Sequence, residues 1–76
     1  MSDSSSSITV TVNGEPREIP AGATCAELLQ RLEGDPGRRL ALEVNEEIVP
    51  RGRWADHVLR EGDRVEIIHA IGGGAA

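Results

Sequence analysis

Val65-Glu66-Ile67-Ile68-His69-Ala70-Ile71, followed at once by Gly72-Gly73-Gly74-Ala75-Ala76, reads as a strand that ends in a tether. The run to Ile71 is rich in β-branched residues and follows the turn signal Glu61-Gly62-Asp63, so the pattern predicts a buried strand rather than a short helix. Beyond Ile71 the side chains vanish. Consecutive glycines lose much conformational entropy when ordered and bury nothing, which makes them poor core material. They suit a narrow arm that lies extended in a channel too tight for side chains, and five residues reach at most roughly 16 to 18 Å beyond the strand. The tail by itself is equally compatible with a frayed, glycine-rich end.

The residues upstream give that strand its neighbours. Residues 1–7 are Ser-rich and without periodicity and read as a disordered leader. Ile8-Thr9-Val10-Thr11-Val12 alternates strictly and places Ile8, Val10 and Val12 on one face of a strand. Asn13-Gly14 is a hairpin signal, because both central positions of a type I′ turn require positive φ, and it predicts a second strand over about Glu15 to Ile19. Pro16 assigns that strand to a sheet edge. Thr24-Cys25-Ala26-Glu27 fits a capping box, and the helix that it opens should run to about Glu33 with Leu28, Leu29 and Leu32 as its apolar stripe. Gly34-Asp35-Pro36-Gly37 stops it. Leu40 to Asn45 reads as a third strand with Leu40, Leu42 and Val44 inward, and Glu47-Ile48-Val49 as a short fourth. Trp54, Val58 and Leu59 fall at helical offsets within residues 51–59, where a short helical turn is expected.

That order of elements predicts an α+β fold in which one helix packs across one face of a mixed sheet, with the first and last strands side by side and parallel. This is the β-grasp, or ubiquitin-like, arrangement, over residues 8–71 with residues 72–76 as a flexible C-terminal tail; another small α+β roll could have the same strand order.

Composition bounds the function. The chain has 76 residues, enough for one small domain, and its 8 basic against 13 acidic side chains leave a net charge of −5. An acidic surface disfavours nucleic acid and anionic membranes as partners and favours a basic protein surface. One cysteine and no apolar signal or membrane-spanning run point to the cytosol. With no Phe or Tyr and one Trp, the core must be built from aliphatic side chains.

Asn45-x-x-Ile48-Val49-Pro50-Arg51-x-x-Trp54, then Gly62-Asp63-x-Val65-Glu66-Ile67 ahead of Gly72-Gly73-Gly74, resembles the ThiS family of sulfur carriers across nearly the whole chain after the leader. Molybdopterin-type carriers share the fold and the diglycine, but the Pro50-Arg51-x-x-Trp54 segment is more similar to ThiS. The resemblance implies a protein with no intrinsic cofactor and no catalytic residue of its own. Its terminal glycine carboxylate would be adenylated with ATP by an E1-like adenylyltransferase of the ThiF/MoeB type. Sulfur from a cysteine desulfurase would then convert it to a thiocarboxylate, which a ThiG-type thiazole synthase or another acceptor enzyme consumes in thiamine biosynthesis. Gly74 would be the reacting terminus, with Gly72 and Gly73 entering the partner's active site. The chain departs from the family in continuing through Ala75-Ala76. Either these are cloning residues, or they are an extension that a JAMM-type protease removes, as in carriers for other pathways (secondary metabolite, cysteine or molybdopterin).

The remaining chemically capable residues are few. Cys25 lies in the first turn expected of the helix, where the dipole favours a thiolate, yet lone cysteines are mostly small hydrophobes. His57 and His69 have no Cys or Asp at ligand spacing, which argues against a metal site. Trp54 is a lid for an aliphatic core or a binding anchor, and Arg51 and Arg53 are solvated charges or partner contacts. Arg51, Trp54 and His69, which flanks the tail, are the candidate partner contacts. Two other functions use the same fold: a ubiquitin-like modifier that forms isopeptide bonds, and an interaction module that needs no free glycine carboxylate.

Overall fold

In a computed structural model that describes residues 6–34 and 40–69, the first strand, β1 (Ser7–Val12), turns through Asn13 and Gly14 into β2 (Glu15–Pro20). Both turn residues have positive φ, 52° and 87°, as a type I′ hairpin demands. Helix α1 (Cys25–Glu33) follows, then β3 (Leu40–Val44), β4 (Glu47–Ile48), a 3-10 turn (Arg51–Arg53) and β5 (Arg64–His69). The strand order is β2-β1-β5-β3-β4, with β1 and β5 parallel and the other pairs antiparallel. This is the β-grasp arrangement: the last strand lies mid-sheet beside the first, and β2, which carries Pro16, is at an edge. No helix among the described residues is long and apolar enough to cross a membrane.

One helix covers one sheet face. Val10, Val12, Ile19, Leu42, Val44, Val65 and Ile67 point from the sheet into the core and meet Leu28 and Leu29 of α1, both fully buried. Leu32 and Leu40, expected inward, are only partly buried at the margin. The capping box forms as the sequence predicts: Glu27 N–H donates to Thr24 Oγ1 at 3.2 Å and Thr24 N–H donates to Glu27 Oε1 at 3.0 Å. Such a cap contributes about 1 kcal/mol.

Three details differ from the sequence reading. β5 is not buried on both faces. Val65 and Ile67 are buried, whereas Glu66 is exposed and Ile68 remains 45% exposed. The strand is central in the sheet, yet among the described residues nothing covers its second face, so alternation replaces the expected buried run. Val58 does not turn inward with Trp54 and Leu59, because the helical turn stops early and Val58 pairs with Thr24 in an isolated β-bridge. Pairing also reaches into the expected leader: Ser7 opens β1, and Ala21 N–H donates to Ser6 C=O at 3.3 Å. Ala70 and Ile71, expected to continue the strand, and the glycine tail expected over residues 72–76 lie outside the described residues.

Candidate functional site

The candidate partner contacts that the structure describes lie on two elements, β5 itself and the segment after β4. His69 is the last described residue of β5. Its exposed ring places Nε2 3.2 Å from Glu33 Oε1, at the C-terminal end of α1. Arg51 and Trp54 are brought together on the segment after β4: the Arg51 guanidinium lies 4.6 Å from the centre of the Trp54 ring, a cation–π contact. Trp54 itself is 5% exposed, and its Nε1–H donates to Val49 C=O at 2.8 Å. It is a core lid whose outer face is shared with Arg51, and of the two only the arginine is exposed. Gly72, Gly73 and Gly74 lie outside the described residues.

The segment from Arg51 to Leu59 also completes the helix. A helix begins with amides that have no intrahelical acceptor. Here Cys25 N–H donates to His57 C=O and Ala26 N–H to Trp54 C=O, each at 3.0 Å, while Thr24 takes the next two amides. With those donors engaged, the helix start offers no anion site. Cys25 is fully buried in this seam, and burial, with the Asp63 charge adding to it, raises its thiol pKa from the ordinary 9.0 to about 11. Desolvation thus outweighs the helix dipole, and the thiol is a core side chain rather than a nucleophile.

Two asparagines hold β5 in place, and both escaped the sequence reading as site residues. β1 ends at Val12, but the Asn13 side chain continues its ladder: Oδ1 accepts the Ile67 N–H at 2.8 Å, and Nδ2 lies 3.4 Å from Ile67 O. On the other side of the strand Asn45 Oδ1 accepts Arg64 N–H and Asn45 Nδ2 donates to Asp63 Oδ1, both at 3.0 Å. Asn13 was read only as a turn former and Asn45 only as part of a motif. A partner more than a dozen residues distant leaves no local trace in sequence.

Among the described residues, no group of three or more His, Cys, Asp or Glu side chains could hold a metal ion. A shallow depression of about 300 Å³ between β4 and the Arg53–His57 stretch is lined by Glu47, Ile48, Pro50 and Asp56 among others, and it holds no nucleophile next to a base. What the arrangement does chemically is hold the strand that leads to the glycines on a rigid frame.

The ThiS family model matches residues 10–74. The sulfur carrier protein ThiS of Escherichia coli is 35% identical over 65 residues, which cover 86% of this chain and 97% of that protein. A thiazole synthase of Magnetococcus marinus is 42% identical over 65 residues, and there the matched part is 86% of this chain but only 20% of the relative, so the chain spans about a fifth of its length. Among solved structures, the thiamine biosynthesis protein (ThiS) from Geobacter metallireducens superposes with a TM-score of 0.76 at 29% identity, covering 88% of this chain and all of that one.

Proposed function

The chain belongs to the ThiS family, and from that premise we propose that it carries sulfur as a thiocarboxylate on Gly74 for thiazole formation in thiamine biosynthesis. The observation that carries this reading is where the family match falls: it runs through Gly72 and Gly73 to Gly74 and stops short of Ala75-Ala76. A carboxylate is a poor electrophile because its leaving group would be oxide. Attack of one Gly74 carboxylate oxygen on the α-phosphorus of ATP, catalysed by an adenylating partner, releases pyrophosphate and installs AMP as a leaving group. The outer sulfur of a persulfide donor then attacks the acyl carbon and displaces AMP, and a thiol cleaves the resulting acyl disulfide, which leaves the thiocarboxylate and a disulfide. The thiocarboxylate stays anionic at neutral pH, is a softer nucleophile than the carboxylate, and keeps the sulfur covalently attached until an acceptor enzyme such as thiazole synthase takes it.

In this scheme the chain is a protein cosubstrate and supplies no acid or base. Its own residues contribute a frame that holds the root of the tail, and a tail thin enough to enter two different active sites in turn. Gly72 and Gly73 permit backbone conformations that a Cβ forbids. A carboxylate on Ala76 would carry two extra methyl groups to the reacting end, so Gly74 is the terminus that this reading has adenylated, whether Ala75-Ala76 are cloning residues or an extension trimmed by a protease as in carriers for other sulfur pathways.

The test is the intact mass of the protein recovered from its own cells, before and after a thiocarboxylate-selective reagent. A chain ending at Gly74 with one terminal oxygen replaced by sulfur is the expected result. A chain ending at Ala76 and inert to the reagent, with the adenylating enzyme, ATP and a sulfur source present, would overturn the reading in favour of an interaction module.

A further inference from the structure

β5 is held by different groups as it runs toward its end. β1 pairs with it at Arg64 and Val65, and the Asn13 side chain then takes the Ile67 backbone on the same flank. Two residues further on, His69 pairs with Leu40 of β3 on the opposite flank. Alternation puts the His69 side chain on the helix side of the sheet with Val65 and Ile67, and there its Nε2 stands 3.2 Å from Glu33 Oε1. With its proton on Nε2, the ring donates to the carboxylate.

Glu33 is an unfavourable residue for its own helix. It ends α1, where a carboxylate opposes the negative pole of the dipole. The contact adds little to stability either, because the histidine and glutamate side chains are 57% and 28% exposed. What it does is join the end of the helix to a strand residue 36 positions away, three residues before Gly72.

We propose that Glu33 and His69 are a positioning pair for the reaction at the tail: their bond fixes the direction in which β5 leaves the domain, so that the adenylating enzyme meets a tail already aimed. Gly74 follows His69 by five residues, at most about 18 Å of extended chain. A loose joint at His69 would let the reacting carboxylate sweep the whole volume within that radius, and the enzyme would have to order the joint on capture. A joint already fixed removes that cost from binding.

The inference rests on the carrier reading, and two measurements separate them. Backbone 15N relaxation of the full chain reads the pair without any enzyme. The order parameter of the His69 amide should lie near about 0.85 in the unmodified chain and fall toward about 0.6 in Glu33→Ala, with the Val65 amide unmoved. ATP–pyrophosphate exchange, with a chain ending at Gly74 as the varied substrate, reads the consequence. Glu33→Ala and His69→Ala should each raise KM for the carrier roughly three- to tenfold with kcat held, and the double variant should lose no more than either. Glu33→Gln, which keeps an accepting oxygen, should recover most of the loss. Thermal midpoints should hardly move in any of them.

A His69 amide indifferent to Glu33→Ala overturns the pair whatever exchange shows. So does a KM raised by His69→Ala alone, which would assign the ring to a direct contact with the enzyme. A loss in Glu33→Gln equal to that in Glu33→Ala would be recognition of the charge and overturns positioning. No exchange by the unmodified chain, with the His69 amide still loosened by Glu33→Ala, overturns the carrier reading alone.

Discussion

The side-chain amide of Asn13 grips the backbone of Ile67, 54 positions away in the chain, accepting its N–H at 2.8 Å. The contact occupies the position where β1 would have supplied the next ladder bond, had it not turned away at Asn13. Asn13→Gly keeps the positive φ of the turn and removes only this grip. It should lower the free energy of unfolding by about 1–3 kcal/mol, the cost of leaving a partly buried amide unpaired. Urea titration reads it directly, and a stability equal to that of the unmodified chain would show that the contact is idle.

Glu46 occupies the second position of the β3–β4 turn with φ of 73°, next to Asn45 at 54°. Asn tolerates the left-handed region; Glu is strained there. Replacing Glu46 by Gly should raise stability by roughly 0.5 kcal/mol, since relief of that strain exceeds both the entropy of glycine and a surface pair with Arg64 at 3.6 Å between well-exposed groups. A loss of stability in the same assay would mean that the pair outweighs the backbone.

The single Trp of the chain, Trp54, is 5% exposed and donates to Val49 C=O at 2.8 Å. Its fluorescence should be blue-shifted and poorly quenched by iodide until the protein unfolds. Trp54→Phe should cost about 1–2 kcal/mol through the orphaned carbonyl and the volume lost. Trp54→Ala should cost about 3–5 kcal/mol. Emission already at the solvent-exposed maximum in the native protein would contradict the buried position.

Cys25 makes stability pH-dependent at the alkaline end. Its thiol pKa is raised to about 11 in the folded chain from an ordinary 9.0, so above pH 9 the unfolded state loses its proton first and is favoured. The contribution is fully present below pH 9 and is lost as pH rises to 11, on the order of 1–3 kcal/mol in all. Unfolding titrations between pH 8 and 11 should show this decline in the unmodified chain, and Cys25→Ala should flatten it. Equal slopes in the two proteins would assign the alkaline loss to other groups. Native Cys25 should also resist thiol reagents at pH 8.

Much of the fold was legible because its signals are local. Asn13-Gly14 demanded a type I′ hairpin, Thr24 and Glu27 announced the helix start, and the alternation of Ile8, Val10 and Val12 assigned their face. Burial on the other side of the sheet was not local information. Ile68 looked like core because β-branched residues in a central strand usually are, and only the presence of a single covering layer shows that it faces out. The candidate site divided the same way. Arg51 and Trp54, three residues apart, do meet, whereas the grips of Asn13 and Asn45 on β5 depend on strand register that no short window contains.

The central place of β5 also has a mechanical meaning. The strand is bonded on one flank to β1 and Asn13 and on the other to β3 and Asn45, with those hydrogen bonds running largely across its axis. A pull on residues beyond His69 therefore loads the ladders in shear, and many bonds must fail together rather than peel one after another. On the carrier reading proposed above, an enzyme that drew the end of this chain taut into its interior, or wrenched it free afterwards, would run little risk of unravelling what it holds.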